Sequence, residues 1–173
     1  MPKQTITPYF LQPHSNIPNN PKLPLLVYEQ VFPEKNDLAN RFKEAFKNNN
    51  WRGSWVNGVF SYHHYHSTSH EVLGVAAGSA ILILGGPGGE EIKVKAGDML
   101  VLPAGTGHCL KSSAAGFQVV GAYPAGQEDY DICTKKDNSE EKKKRIAKVS
   151  LPNADPVFGD EGPLLQHWKQ GQV

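Results

Sequence analysis

Apolar positions along the chain change period twice. Residues 5 to 32 hold two extended stretches, "ITPYFLQ" and "LPLLVYEQVF", divided by the polar, proline-rich "PHSNIPNNPK". The second stretch is rich in strand formers. In "PEKNDLANRFKEAFKNNN" the period becomes helical: Leu38, Phe42, Ala45 and Phe46 recur on one face, and Asn36 or Asp37 stands where an N-cap belongs. That aromatic stripe reads as core packing. From Trp51 to about Asp131 the runs are short again. "SWVNGVFSYHHYH", "EVLGVAAGSAILILGG", "EIKVKAGDMLVLPAG", "HCLKSS" and "FQVVGAYP" read as strands punctuated by glycine and proline, the pattern of a sandwich or barrel. "GGPGGEE" is a turn whose glycines lack the arrangement of a phosphate-binding loop.

"NSEEKKKRIAKV" predicts a second helix, capped by Ser139, with acids in the first turn and bases after it. Its basic run reads as a solvated face. In the tail, Pro152, Pro156 and Pro163 oppose regular structure, yet Phe158, Leu164, Leu165 and Trp168 are too apolar for a free end. The expectation is an ordered strap that buries Phe158 and Trp168, lying either on the outer wall or across the open end of the barrel. The chain thus divides into N-terminal strands and helix (1–50), a barrel core (51–131) and a C-terminal helix and strap (132–173).

Composition narrows the function classes. The 173 residues are 39% hydrophobic and 20% charged, as in a single globular domain. Eighteen basic against 17 acidic residues leave a formal charge of +1, which gives no electrostatic reason to bind nucleic acid or an anionic membrane. Cys109 and Cys133 are too few for a disulfide framework and too far apart for a CxxC motif, so a reducing compartment is the simpler reading. Without an apolar run of membrane-spanning or signal-peptide length, the default location is the cytoplasm.

The chemistry concentrates in "YHHYHSTSHEVLG", residues 62–74, which holds four of the seven histidines. Side chains alternate along a strand, so His64 and His66 share one face and His63 and Tyr65 the other. A same-face histidine pair is a bidentate metal clamp. Glu71, at the start of the next strand, can swing in beside it, and His108, after "LPAGTG", can return to the same place. Three neutral imidazoles and one carboxylate would leave a divalent transition metal with open positions, as a catalytic site does.

The stretch Gly58 to Gly78 resembles the first cupin motif, G-x5-H-x-H-x4-E-x6-G, at Gly58, His64, His66, Glu71 and Gly78. Gly97 to Ser112 resembles the second, G-x5-P-x-G-x2-H-x3-N, at Gly97, Pro103, Gly105 and His108, and departs from it where Ser112 replaces asparagine. "VVGAYPAGQEDYD" and "DPVFGDEGPL" look like a bacterial-type branch of small single-domain cupins of uncharacterised function. The resemblance implies a mostly β fold, the double-stranded β-helix or jelly-roll barrel, with one or two flanking helices. It also implies a metal held by His64, His66, Glu71 and His108. His70 competes with Glu71, because some cupins use a ligand one position earlier; the motif spacing favours Glu71 and leaves His70 a hydrogen-bonding role.

By alternation Phe60 and Tyr62 share the face of His64. Phe60 reads as core, and Tyr62 as a pocket-facing hydroxyl and candidate catalytic residue. Tyr123, expected near the mouth, is a second candidate; Gln127 and Asp131 follow it in a loop as possible substrate contacts. Two function classes stand. One is a metal-dependent enzyme acting on a small oxygen-rich molecule, a carboxylate or a diol or enediol. Iron or manganese would suit oxygenase chemistry, and zinc or nickel isomerase or lyase chemistry. The other is a non-catalytic small-molecule binder or sensor. A homodimer is expected, with "LLVYEQVF" as an added edge that extends the chain's own sheet or crosses to a partner.

Overall fold

The computed structural model describes residues 4–170. Among the described residues, nine strands form two antiparallel sheets. The larger has the order β1 (Thr5–Tyr9), β2 (Leu25–Glu29), β7 (Met99–Leu102), β4 (Glu71–Ala77), β9 (Gln118–Pro124), β3 (Trp51–Asn57). The smaller has the order β6 (Glu90–Lys95), β5 (Ser79–Leu84), β8 (His108–Ser113). Together they make the jelly-roll sandwich that the strand pattern and both motifs pointed to.

Alternation divides the large sheet between two cores. Leu73 and Val75 of β4, Leu100 and Leu102 of β7 and Val119 of β9 face inward and pack with Leu82, Leu84, Ile92 and Val94 of the small sheet. Val72, Met99, Val101, Val120 and Ala122 face outward and are covered by helix α1 (Leu38–Asn48) and by the tail. Phe42 of α1 lies directly on Gly74 of β4; a Cβ there would sit 2.5 Å from the Phe42 ring. The apolar run from Val72 to Leu84 is broken at Gly78, whose φ of 73° suits glycine and sends β4 and β5 into different sheets. "LLVYE" becomes β2, paired on both sides within its own sheet, and β1 takes the outer position.

Three expectations need correction. Asp37 occupies the N-cap of α1 but makes no side-chain capping bond; its carboxylate accepts from the Asn40 side chain instead. By contrast Ser139 caps α2 (Glu140–Ala147) as expected, accepting from Lys142 N at 3.1 Å. The tail is ordered, as expected, but it is not irregular throughout. Pro163 begins a helix, α3 (Pro163–Gln170), because proline is well tolerated in the first turn, where no intrahelical donor is needed. Trp168 is buried as expected and donates to Pro24 O at 3.0 Å, but Phe158 is 41% exposed and stacks on the outside of Tyr28. Asp155 pins this segment: it accepts from Tyr28 Oη (2.5 Å) and from the backbone N–H of Val157, Phe158 and Leu164. Leu164 and Trp168 join the outer core, so the tail covers the outer wall. No described helix is long and apolar enough to cross a membrane.

Candidate metal centre

His64, His66 and His108 meet at one end of the space between the sheets, with a ligand atom of each within 4.8 Å of the others. The chain achieves this without a regular strand at residues 58–63. β3 ends at Asn57, Phe60 O accepts from Leu110 N at 2.9 Å, and bridge pairing resumes at His64, which exchanges backbone hydrogen bonds with His108 at 2.9 and 3.2 Å. Tyr65 pairs likewise with Cys133, and His66 O accepts from Gly105 N at 2.7 Å. The turn "PAGTG" therefore carries His108 to His64 and holds His66 beside it. Glu71 is the first residue of β4 and points to the inner face with Leu73 and Val75.

The ring nitrogens are arranged alike. Nδ1 of His64 lies 2.9 Å from Tyr62 O, Nδ1 of His66 2.5 Å from Asp131 O, and Nδ1 of His108 3.0 Å from Thr106 O. A carbonyl oxygen only accepts, so each Nδ1 carries the proton and each neutral ring turns a bare Nε2 lone pair inward. Glu71 Oε1 lies 3.2 Å from His108 Nε2 and 3.6 Å from His66 Nε2, fully buried and without a hydrogen-bond donor. Three ring nitrogens thus face one another out of water, with the carboxylate beside two of them. The titration behaviour has the same cause. Burial, then the neighbouring His108, pushes His64 down to about 3. Burial opposes charge on His66 too, but the Glu71 carboxylate and the Asp131 carbonyl outweigh it and raise its pKa. Burial would raise Glu71, yet positive charge taken up beside it, such as a proton on the His66 ring, holds its carboxyl well below the usual carboxylate range. The site is built to receive positive charge, and its three converging histidines suit a divalent transition metal.

His70 is elsewhere. It points to the outer face, where its ring packs 4.7 Å from Trp168 and its Nδ1 accepts from Ala104 N at 2.8 Å. Tyr62 and Phe60 are also misplaced by strand alternation, because the backbone between Gly58 and His63 is irregular. They are 45% and 48% exposed and stack on each other and against His64 at the rim. Tyr62 is therefore no buried hydroxyl, and Phe60 is not core. Tyr123, expected at the mouth, is fully buried in the wall. Its oxygen accepts from Trp55 Nε1 at 2.7 Å, and burial together with the Glu71 charge pushes its pKa up, so it stays a phenol.

Gln127 and Asp131 serve the scaffold. Gln127 accepts from His70 N and donates to Ser150 O. Besides holding the His66 ring, Asp131 accepts from Ser67 N at 2.7 Å, from the Ser67 hydroxyl, and from Lys142 Nζ of α2 at 3.2 Å. Strand reasoning missed Trp55 and Tyr130, which line the cavity of about 340 Å³ that opens on the cluster. The register could have found Trp55: it pairs with Gly121, whose missing side chain makes room for the indole. Tyr130, in an irregular loop, left no such signal.

Comparison with known proteins agrees with this architecture. Residues 55–116 match the family described as "Cupin domain". The chain is 43% identical over 169 residues to the uncharacterized protein YjlB of Bacillus subtilis, covering 97% of this chain and 99% of that one. Among solved structures it is similar to an acireductone dioxygenase from Bacillus anthracis that has a cadmium ion in its active centre. That likeness has 17% identity and a TM-score of 0.37, over 52% of this chain and 61% of the dioxygenase. It is also similar to a DUF861 family protein from Thermotoga maritima, with 16% identity and a TM-score of 0.35, over 58% of this chain and 98% of that one. The extended match to YjlB and the domain match across both histidine motifs lead to one assignment: the chain belongs to the cupin family, as a small bacterial-type cupin.

Proposed function

We propose that the protein is a metal-dependent enzyme acting on a small oxygen-rich molecule, as an oxygenase or as an isomerase or lyase. One observation carries the metal: a buried ring nitrogen of each of His64, His66 and His108 lies within 4.8 Å of the others, and the unpaired Oε1 of Glu71 stands beside those of His66 and His108. Buried lone pairs at this spacing repel unless a cation sits among them. When bound, a divalent metal supplies Lewis-acid activation of an oxygen donor, and iron or manganese adds redox chemistry with dioxygen.

The chain's own groups support turnover as well as binding. The carbonyls of Tyr62, Asp131 and Thr106 hold the three rings in one orientation, which limits reorganisation when charge develops. The Tyr123 phenol, which accepts from Trp55 and lines the cavity beside the cluster, can present its hydroxyl to a substrate oxygen. Phe60 and Ile132 at the rim exclude water from the acceptors behind them. Protein purified without a histidine tag is expected to contain one divalent metal per chain by elemental analysis. It should then consume oxygen, or isomerise or cleave a member of a carboxylate and diol panel, while His108→Ala does neither. Stoichiometric metal and tight ligand binding without turnover would assign the binder or sensor class instead.

A further inference from the structure

Beyond the cluster, the cavity wall has an unusual composition. Trp55, Tyr123, Tyr130, Leu73, Phe60 and Ile132 supply its body and rim. Among the described residues no lysine or arginine lines it, and Asn57, exposed at the mouth, is its one side-chain amide. The rings are set as flat surfaces. Gly121 lets the Trp55 indole lie against β9, since a Cβ at that position would run into it. Tyr123 and Tyr130 stack with centroids 4.3 Å apart and planes 24° from parallel. The nearby cations are spoken for: Lys142 and Arg145 both reach the Asp131 carboxylate, at 3.2 and 3.9 Å.

Charge then limits the ligand. A divalent ion held by one carboxylate and three neutral imidazoles has one net positive charge. A monoanion neutralises it. A dianion leaves a negative charge beside Glu71 in a largely apolar cavity with no cation to meet it, which is strongly unfavourable. We infer that the cavity selects a planar, ring-bearing ligand of at most one negative charge, which binds the metal through adjacent oxygens while its ring lies between the aromatic walls. Phosphorylated compounds and aliphatic dicarboxylates are excluded by the same absence of cationic side chains, and the broad substrate range above narrows to aromatic or conjugated cyclic oxygen chelators. The inference rests on the metal reading of the preceding section.

Paired probes that share a chelating head test it. Calorimetry on zinc-loaded full-length protein compares benzohydroxamate with acetohydroxamate, and both with the dianion malonate. Enclosing the extra ring should give benzohydroxamate an advantage of about tenfold or more over acetohydroxamate. Malonate should be the weakest of the three. In Trp55→Leu the ring advantage should fall below about threefold with zinc still bound, since a flat aromatic wall is lost. Tyr130→Leu, at a half-buried loop position, is the parallel test should the first variant fail to fold. Equal affinity of the two hydroxamates, a ring advantage that survives both wall substitutions, or malonate binding as tightly as benzohydroxamate would overturn the inference while the metal reading stands. Failure of the wild-type protein to take up zinc or any other divalent ion would remove both.

Discussion

His70 and Glu71 are adjacent in the chain and face opposite sides of the large sheet, and the two sides use an imidazole in opposite ways. On the inner side each of three histidines gives its Nδ1 proton to a carbonyl and keeps Nε2 bare. On the outer side His70 Nδ1 accepts from Ala104 N, so the proton of the neutral ring must sit on Nε2. Burial pushes this histidine down to about 3, with the Ser150 and Val149 carbonyls pulling weakly the other way. It is a neutral ring packed on Trp168, with no lone pair left to offer a metal. What separates the two uses of an imidazole here is which backbone group meets Nδ1. A carbonyl frees Nε2 to coordinate; an N–H occupies the lone pair and protonates the other nitrogen.

The comparison can be broken from either side. On the outer face Trp168→Ala removes a fully buried indole and its bond to Pro24 O, at an expected cost of about 3–5 kcal/mol in unfolding free energy. Denaturant titration measures this. Metal stoichiometry in the folded fraction should not change, because no tail residue lines the cavity; a parallel loss of metal would mean that the two faces are coupled. On the inner face His64→Ala or His108→Ala should do the reverse, abolishing stoichiometric metal while thermal unfolding still shows a cooperative transition. The loss of affinity should exceed the roughly 10–100-fold that removal of an outer hydrogen-bond partner costs.

The neighbouring pair gives the sharpest contrast. Glu71→Gln deletes the one negative charge of the cluster, so a competition assay with a chelator should show metal affinity falling by at least about tenfold. His70→Asn should cost stability and leave that affinity within about threefold, well short of a lost outer partner. The opposite ranking would show that His70 is the ligand. Among substitutions on the cluster's own side the smallest effect belongs to Asp131→Asn, which weakens the carboxylate's hold on Ser67 and Lys142 while keeping the carbonyl that meets His66. About a tenfold loss of metal affinity is expected, at the low end for an indirect contact.

Much of this was legible in the chain. The period of Leu38, Phe42 and Phe46 specified α1, and short runs broken by glycine and proline specified the strands, because both signals are local. The spacing of His64, His66, Glu71 and His108 pointed to one cluster, since a strand start or a tight turn fixes direction over a few residues. Alternation failed at Phe60 and Tyr62, where the backbone leaves the strand after Asn57 and the two-residue period has no pleat to act on. Strand reasoning also could not find Tyr130, whose place depends on how a loop after β9 folds back over His66.

The sequence by itself determined a sandwich-or-barrel fold of short strands, the helices α1 and α2 and the residues that could form the cluster, because these depend on periodicity and spacing along the chain. Tertiary structure decided which ring nitrogen of His66 and of His70 carries the proton, because that depends on backbone groups brought from Asp131 and from Ala104, 65 and 34 residues away, whereas His64 and His108 meet carbonyls two residues back. It also decided where the tail lies. Phe158 and Trp168 looked alike as apolar anchors, but the outer core could enclose only the one that α3 turns toward Pro24, and Phe158 was left half in water.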